Sequence, residues 1–240
     1  GLHFVQGVIM LWISNGSSLP VTTSYLKIDP TNPVFGVAPT ATIWFNLRIG
    51  PSVALFLFLS AIAHFLLAGP LHRSYNTHIT KGINPLRWFE YMLSSSVMIW
   101  IIAMLCGVYD IWLLLSVFSL NAIMNLMGLM MEVHYQSTKK TNWLSYWIGV
   151  FAGAVPWVVI FTYFFVAINS TGVKVPGFVY GIVLTIFATF SVFALNMVLQ
   201  YKKIGPWKDY LYGEWAYMIL SLVAKSLLAW QIFSGTLRPN

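Results

Sequence analysis

The sequence predicts an all-α membrane protein with seven transmembrane helices and a β-hairpin in the first loop between them. The chain has 240 residues, of which 58% are hydrophobic and only 8% are charged, whereas soluble domains carry about 25% charged residues. Apolar runs long enough to cross about 30 Å of hydrocarbon recur along the chain. Most basic residues fall in the connections between these runs. All three observations are typical of an integral membrane protein.

Seven spans follow one another along the chain, near residues 1–15, 48–69, 84–107, 111–134, 143–168, 176–200 and 209–234. Because Gly1 opens directly into an apolar run, we expect further residues before it in the full protein. The long connection, 16–47, contains VTTSYLKI and TATIWF on either side of the breaker-rich DPTNPVFG, which is typical of a β-hairpin. No internal repeat is evident, so residues 1–240 are predicted to form a single domain.

The basic residues predict the orientation of the chain, since cytoplasmic loops are enriched in Lys and Arg. The loops after spans two, four and six hold Arg73, Lys81, Lys139, Lys140, Lys202, Lys203 and Lys208. The other loops hold Lys27 and Lys174, with Arg48 at a membrane edge. The amino terminus is therefore predicted to be cytoplasmic and the carboxyl terminus extracellular. This distribution also accounts for the net charge of +7 without nucleic-acid binding.

Lys225 is the most informative residue, because it lies inside the last apolar run, LSLVAKSLLAW. A charged side chain at the centre of a membrane helix costs about 2.5–3.5 kcal/mol on insertion scales. Such a lysine is retained where it is paired or chemically changed, and buried lysines form Schiff bases with aldehydes. The alternative is a lysine that merely extends to the membrane surface.

Other polar residues gather on the predicted cytoplasmic side of Lys225. Glu90 lies in the inner half of span three, with Arg87 one turn nearer the cytoplasm, and Ser221 precedes Lys225 by one helical turn. The same pocket is predicted to include His64 and His3, with Glu214, near the inner end of span seven, as a further candidate. Alternatively, Glu90 could hydrogen-bond between helices and His64 could be a satisfied interior histidine.

Several other residues have less specific interpretations. Glu132 and His134 end span four, where we expect them to be solvated. Phe187, Phe190 and Phe193 in span six are consistent with either helix packing or a ligand pocket. Since no two histidines share an i, i+4 face, no metal site is expected.

At this point the sequence resembles the heliorhodopsins, a family of microbial-type retinal-binding rhodopsins. The resemblance rests on NPLRWFEY around Glu90, on SLVAKS around Lys225, on the inverted loop charge and on the long hairpin after span one. It implies a seven-transmembrane-helix rhodopsin bundle of inverted topology. It further implies that all-trans-retinal is bound to Lys225 as a protonated Schiff base with Glu90 as its counterion. The surroundings of the Schiff base would be Ser221, His3, His64 and Arg87.

The resemblance also implies roles for more distant residues. The retinal pocket would be formed by Tyr91, Ser94, Met98, Trp157, Phe187 and Phe190. Glu132 and Glu214 would be available as a gate or a proton relay. Heliorhodopsins form dimers and have a slow photocycle, which implies a homodimer in the lipid membrane that signals to a downstream partner.

Three functions compete at this stage. The first is a light-sensing photoreceptor, which is not an enzyme. The second is a light-driven or light-gated proton transporter; pumping is disfavoured because Ile101 stands eleven residues after Glu90, where a second carboxylate is normally needed. The third is a seven-helix enzyme or receptor without photochemistry. Visible absorption after addition of all-trans-retinal would separate the third from the first two.

Overall fold

The computed structural model describes residues 1–25, 40–170 and 176–237, with the side chain of Ser170 excluded. Its helices are α1 (Leu2–Ile13), α2 (Ile49–Ala68), α3 (His72–Thr80), α4 (Pro85–Leu105), α5 (Ile111–Thr138), α6 (Trp143–Ser170), α7 (Gly177–Tyr201) and α8 (Tyr210–Ile232). Its two strands are β1 (Ser18–Tyr25) and β2 (Thr40–Arg48). The predicted breaker-rich run at 29–36 lies outside the described residues, as do Lys27 and Lys174.

The predicted helical membrane fold is confirmed. In the described part of the chain, six helices are long and apolar enough to cross a membrane, namely α2 and α4 to α8, and α1 is a shorter apolar helix. The bounds differ from the predicted spans by a few residues. The largest difference is in α5, which continues past the predicted end at 134 to Thr138. It ends where Lys139 adopts a left-handed backbone, φ 55°, and not where the sequence becomes polar.

Local signals explain where the helices begin. Asn84 caps α4 by accepting a hydrogen bond from the Arg87 amide, and Pro85 occupies the first helical position. Asp110 caps α5 in the same way, and Asp209 caps α8. These caps satisfy amide groups that would otherwise lack a partner at the first turn of each helix.

The helices form a ring in which α1 packs on α2, α2 on α4, α4 on α5, α5 on α6, and α7 on α8. Contacts of α8 with α1 and α2 close the ring, and Ser226 Oγ donates a hydrogen bond to Gln6 Oε1 at 3.1 Å across the α8–α1 seam. On the α6–α7 side, Trp157 meets Phe187 with ring centroids 5.1 Å apart. The interior of the ring is therefore lined by residues from every long helix.

The predicted hairpin is present. β1 and β2 are antiparallel, from the pair Ser18 and Arg48 to the pair Tyr25 and Thr40, with an irregularity at Val21/Thr22. Val21 is fully buried, and the Thr22 amide donates to the Tyr109 carbonyl at 2.8 Å. The hairpin is thus held against the connection between α4 and α5.

Helix α3 was not predicted from the sequence. It lies in the connection between α2 and α4, and none of its residues is buried. It shares one end of the bundle with the α5–α6 connection, 139–142, and the α7–α8 connection, 202–209. Because these three connections contain seven Lys and Arg residues, we refer to them together as the basic end.

Candidate functional site

The centre of the site is a buried ion pair between α8 and α4. Lys225 Nζ lies 2.6 Å from Glu90 Oε1, and both residues are less than 10% exposed. Lys225 Nζ also donates to Ser221 Oγ at 2.8 Å, as their spacing of one helical turn allows. The sequence-predicted lysine, carboxylate and serine are therefore brought together. A buried ammonium group is tolerated only with such partners.

Ser60 of α2 completes the surroundings of Glu90. Its hydroxyl, which is fully buried, donates to Glu90 Oε1 at 2.5 Å. The Glu90 oxygen that faces Lys225 thus accepts two hydrogen bonds. Sequence reasoning missed Ser60, although it lies one turn before His64 and so shares its helix face.

The two predicted histidines form a stacked pair beside this centre. The rings of His3 and His64 are 5.7 Å apart and nearly parallel, at 11°. His3 is buried, whereas His64 is exposed on the surface of α2. The sequence placed both in the inner pocket; the structure buries His3 there and leaves His64 between His3 and the outside of the bundle.

A cavity of about 290 Å³ extends from Lys225 and Ser221 into the middle of the ring. Its walls are mostly apolar and come from α4, α5, α6, α7 and α8. Of the six residues predicted to line a retinal pocket, five line this cavity: Tyr91, Met98, Trp157, Phe187 and Phe190. Ser94 does not line it, and its neighbour Ser95 does, because successive side chains on α4 point about 100° apart.

Small residues keep the middle of the cavity open. Gly149, Gly153 and Ala154 line it from α6, and Gly128 lines it from α5. A Cβ atom at Gly128 would lie 2.3 Å from the Trp88 ring. This position therefore accepts no side chain unless Trp88 moves.

One stretch of the cavity wall is polar. Asn125 Nδ2 donates to Ser95 Oγ at 3.1 Å, and Asn121 Nδ2 donates to the same hydroxyl at 2.8 Å. Ser95 in turn donates to the Tyr91 carbonyl at 2.6 Å. Sequence reasoning did not assign this α4–α5 network to the pocket, since Asn and Ser are also common in helix-to-helix hydrogen bonds.

A second buried charge cluster lies nearer the basic end. Arg87 Nη2 is 2.5 Å from Glu132 Oε1, and Arg87 Nη1 pairs with Glu214 Oε1. Asn84 donates its backbone amide to Glu132 and its side-chain amide to Glu214, at 3.0 Å and 2.8 Å. The guanidinium also lies 4.1 Å from the centre of the Tyr217 ring. The cluster joins α4, α5 and α8.

This cluster changes three expectations. Glu132 is 1% exposed, so the prediction that it is solvated is wrong. Glu214 faces Arg87 and not Lys225, and Arg87 takes part in this cluster and not in the contacts of the lysine. The physical reason is that three helices bring opposite charges to one depth, where each compensates the others. The signal in the sequence was one arginine and two glutamates at matching inner ends of the spans.

Comparison with solved structures identifies the class of fold. The chain is similar to the crystal structure of Exiguobacterium sibiricum rhodopsin, with a TM-score of 0.59, 17% identity, and coverage of 77% of this chain and 80% of that chain. The fold is therefore that of a microbial rhodopsin. The family model for heliorhodopsins matches residues 1–237, and the chain belongs to the heliorhodopsin family. A comparison with curated proteins finds no match.

A rhodopsin binds retinal, and the residues of the cavity fit that group. Its long polyene needs apolar and aromatic walls, which Trp157, Phe187 and Phe190 supply. Its aldehyde needs a primary amine, and Lys225 is the one lysine in the described spans. The cavity volume is near the lower end of the roughly 300–1,000 Å³ typical of ligand pockets.

The Arg87 cluster generates a stability prediction. We expect Arg87→Leu to lower the free energy of unfolding by about 3–5 kcal/mol, because it leaves two buried carboxylates without their cation. The measurement is thermal or SDS-induced unfolding in detergent. The control is Arg73→Leu on exposed α3, which should change stability by no more than about 0.5 kcal/mol. Equal effects of the two changes would contradict the assignment of a stabilising role to the cluster.

Proposed function

We propose that the protein is a light-sensing photoreceptor that signals and does not pump. In this proposal all-trans-retinal is bound to Lys225 as a protonated Schiff base, Glu90 is the counterion, the photocycle is slow and the amino terminus is cytoplasmic. The observation that carries the proposal is the 2.6 Å contact between Lys225 Nζ and Glu90 at one end of an aromatic cavity.

When bound, retinal supplies visible absorption and a light-driven change of shape at Lys225 Nζ. Glu90 holds the proton on that nitrogen by a direct hydrogen bond, supported by Ser60. In a dry site such a proton is kept only while the anion is close. A displacement of Nζ beyond hydrogen-bond range breaks the contact and frees the proton to move.

The arrangement of polar groups supports movement of this proton toward the inner side. His3, His64 and Ser221 lie on that side of the lysine. The opposite side is occupied by a packed apolar core, which includes Ile99, Ile102, Leu228 and Ile232. Within the described spans no carboxylate lies beyond Lys225 in that direction; Asp110 caps α5 at the rim. A proton that leaves and returns on one side moves little net charge, which favours sensing over transport.

The Arg87 cluster supports the same proposal. Glu132 and Glu214 are both paired with a buried guanidinium, so neither is an unpaired group waiting for a proton. The cluster links α4, α5 and α8 through the ion pairs of Arg87. A shift of α8 at Lys225 would therefore also displace α4 and α5 near the basic end. The homodimer and the downstream partner stay predictions from the family resemblance.

The first prediction concerns covalent attachment. Lys225→Ala should abolish the visible band formed with all-trans-retinal, because the described spans offer no other amine. The measurement is the absorption spectrum after purification and washing. Lys203→Ala, an exposed lysine, is the matched control and should keep the band. A washed Lys225→Ala protein that is still coloured would contradict the assignment.

The second prediction concerns the counterion. Glu90→Gln should shift the absorption maximum to longer wavelength, because the anion stabilises the localised ground-state charge more than the delocalised excited state. The same variant should lose the proton on the Lys225 nitrogen at a lower pH. Absorption spectra across a pH titration measure both effects. Asp209→Asn, which removes an exposed carboxylate, should leave both unchanged, and a wild-type spectrum in Glu90→Gln would move the counterion elsewhere.

The third prediction concerns the direction of proton movement. The double change His3→Ala, His64→Ala should alter the slow phases after a light flash by several-fold and leave the dark spectrum nearly intact. His72→Ala, His78→Ala on α3 is the matched control and should leave these phases unchanged. Flash photolysis paired with photocurrents at several voltages makes the measurement. A sustained photocurrent that survives the double change would instead support a transporter or channel.

A further inference from the structure

Within the described residues, none of the Lys and Arg side chains of the basic end forms an ion pair. Its seven Lys and Arg residues are all exposed: Arg73, Lys81, Lys139, Lys140, Lys202, Lys203 and Lys208. Glu132 and Glu214 reach the same depth but are buried against Arg87. In the three connections, Asp209 is the single exposed carboxylate, and it is occupied as a helix cap. A surface of this kind attracts anions.

Four of these lysines come in two pairs, each following the end of a long helix. Lys139 and Lys140 follow α5, and Lys202 and Lys203 follow α7. The last turns of these helices touch, with the Tyr135 and Tyr201 rings 5.8 Å apart. Trp143, at the start of α6, lies next to both ends, and Lys202 Nζ is 5.9 Å from its ring centre.

The backbone at two of these lysines has a conformation that favours glycine. Lys139 has φ 55° and Lys203 has φ 53°, and they are the two non-glycine residues with positive φ in the described chain. A side chain in this region costs roughly 1–2 kcal/mol. A cation near a helix C-terminus stabilises the helix by only about 0.3–1 kcal/mol through the helix dipole. Fold stability alone would therefore favour glycine at these two positions.

The surrounding residues place the lysine pairs at the level of lipid headgroups. Trp143, Tyr146 and Trp147 are in successive ring contact at 5.6 Å and 5.4 Å. Trp147 is 63% exposed and Leu144 is 69% exposed, both on the outside of the bundle. Trp and Tyr concentrate where hydrocarbon meets headgroups. At this level the anion that these lysines would meet in a bilayer is a lipid phosphate.

We propose that Lys139, Lys140, Lys202 and Lys203, with Trp143, form a binding site for the phosphate headgroup of an anionic phospholipid. The two pairs reach the phosphate from the α5 and α7 ends, and Trp143 packs against the upper part of the lipid chain. A bound lipid would bridge helices whose ends meet here mainly through the contact of Tyr135 with Tyr201. The proposal does not depend on the photoreceptor function.

The test compares two variants that lose the same charge. Lys139→Gln, Lys140→Gln, Lys202→Gln removes three of the four lysines of the site. Arg73→Gln, Lys81→Gln, Lys208→Gln removes three charges elsewhere on the basic end. Each protein is prepared in nanodiscs of phosphatidylcholine with phosphatidylglycerol, and retained lipid is counted by native mass spectrometry. Circular dichroism and the melting temperature establish that both variants fold.

We expect the wild type to retain phosphatidylglycerol over phosphatidylcholine. The site variant should lose this preference by about tenfold or more, since each lysine near a membrane surface contributes measurably to anionic lipid binding. The control variant should stay within about twofold of wild type. Equal loss in both variants, or no loss in the site variant, would overturn the proposal in favour of diffuse attraction. Displacement of the lipid by millimolar inorganic phosphate would overturn it in favour of a soluble anion.

Discussion

The ion pair of Lys225 and Glu90 is the interaction on which the rest of the interior depends. An isolated charge in this environment costs several kcal/mol, and removing one partner leaves the other uncompensated. The pair therefore joins α8 to α4 through the side chains of Lys225 and Glu90. Ser60 adds α2 to this contact through its hydrogen bond to Glu90. The aromatic cavity extends from Lys225. The position of the lysine amine therefore determines which residues contact a chromophore bound to it.

A second buried cluster stabilises the half of the same helices that is nearer the basic end. Its one guanidinium faces two carboxylates, and the other oxygen of each carboxylate accepts a hydrogen bond from Asn84. The Tyr210 hydroxyl donates to Glu132 Oε1, the oxygen that also pairs with Arg87. Between the two charge clusters lie Tyr91 and Tyr217, joined by a hydrogen bond from the Tyr91 hydroxyl to the Tyr217 carbonyl at 2.9 Å. Along the bundle axis, the interior therefore contains the Lys225–Glu90 ion pair, then the two tyrosines, and then the Arg87 cluster. α4 and α8 contribute to all three.

Sequence reasoning predicted the parts of this arrangement that depend on one helix at a time. Span positions follow from hydropathy, and the contact of Ser221 with Lys225 follows from helical spacing. The partners of Arg87 could not be derived in this way, because pairing across α4, α5 and α8 depends on how the helices rotate about their axes. For the same reason Ser94 and Ser95 were not distinguished, since a small rotation of α4 decides which of them faces the cavity. Helix α3 was missed because it is only nine residues long, is mostly polar and has no buried residue.

The β-hairpin has a consequence for how the bundle can deform. Its base is tied to the turn after α8 by Asn15 and Ser17, whose side chains both donate to the Thr236 carbonyl at 3.0 Å. Its first strand is tied to the α4–α5 connection through Thr22. At this end the helices are tied together by a sheet, whereas at the other end they are joined by three exposed, positively charged connections, one of which contains α3. A displacement of the helices at the level of Lys225 is therefore expected to move the basic end more than the hairpin end.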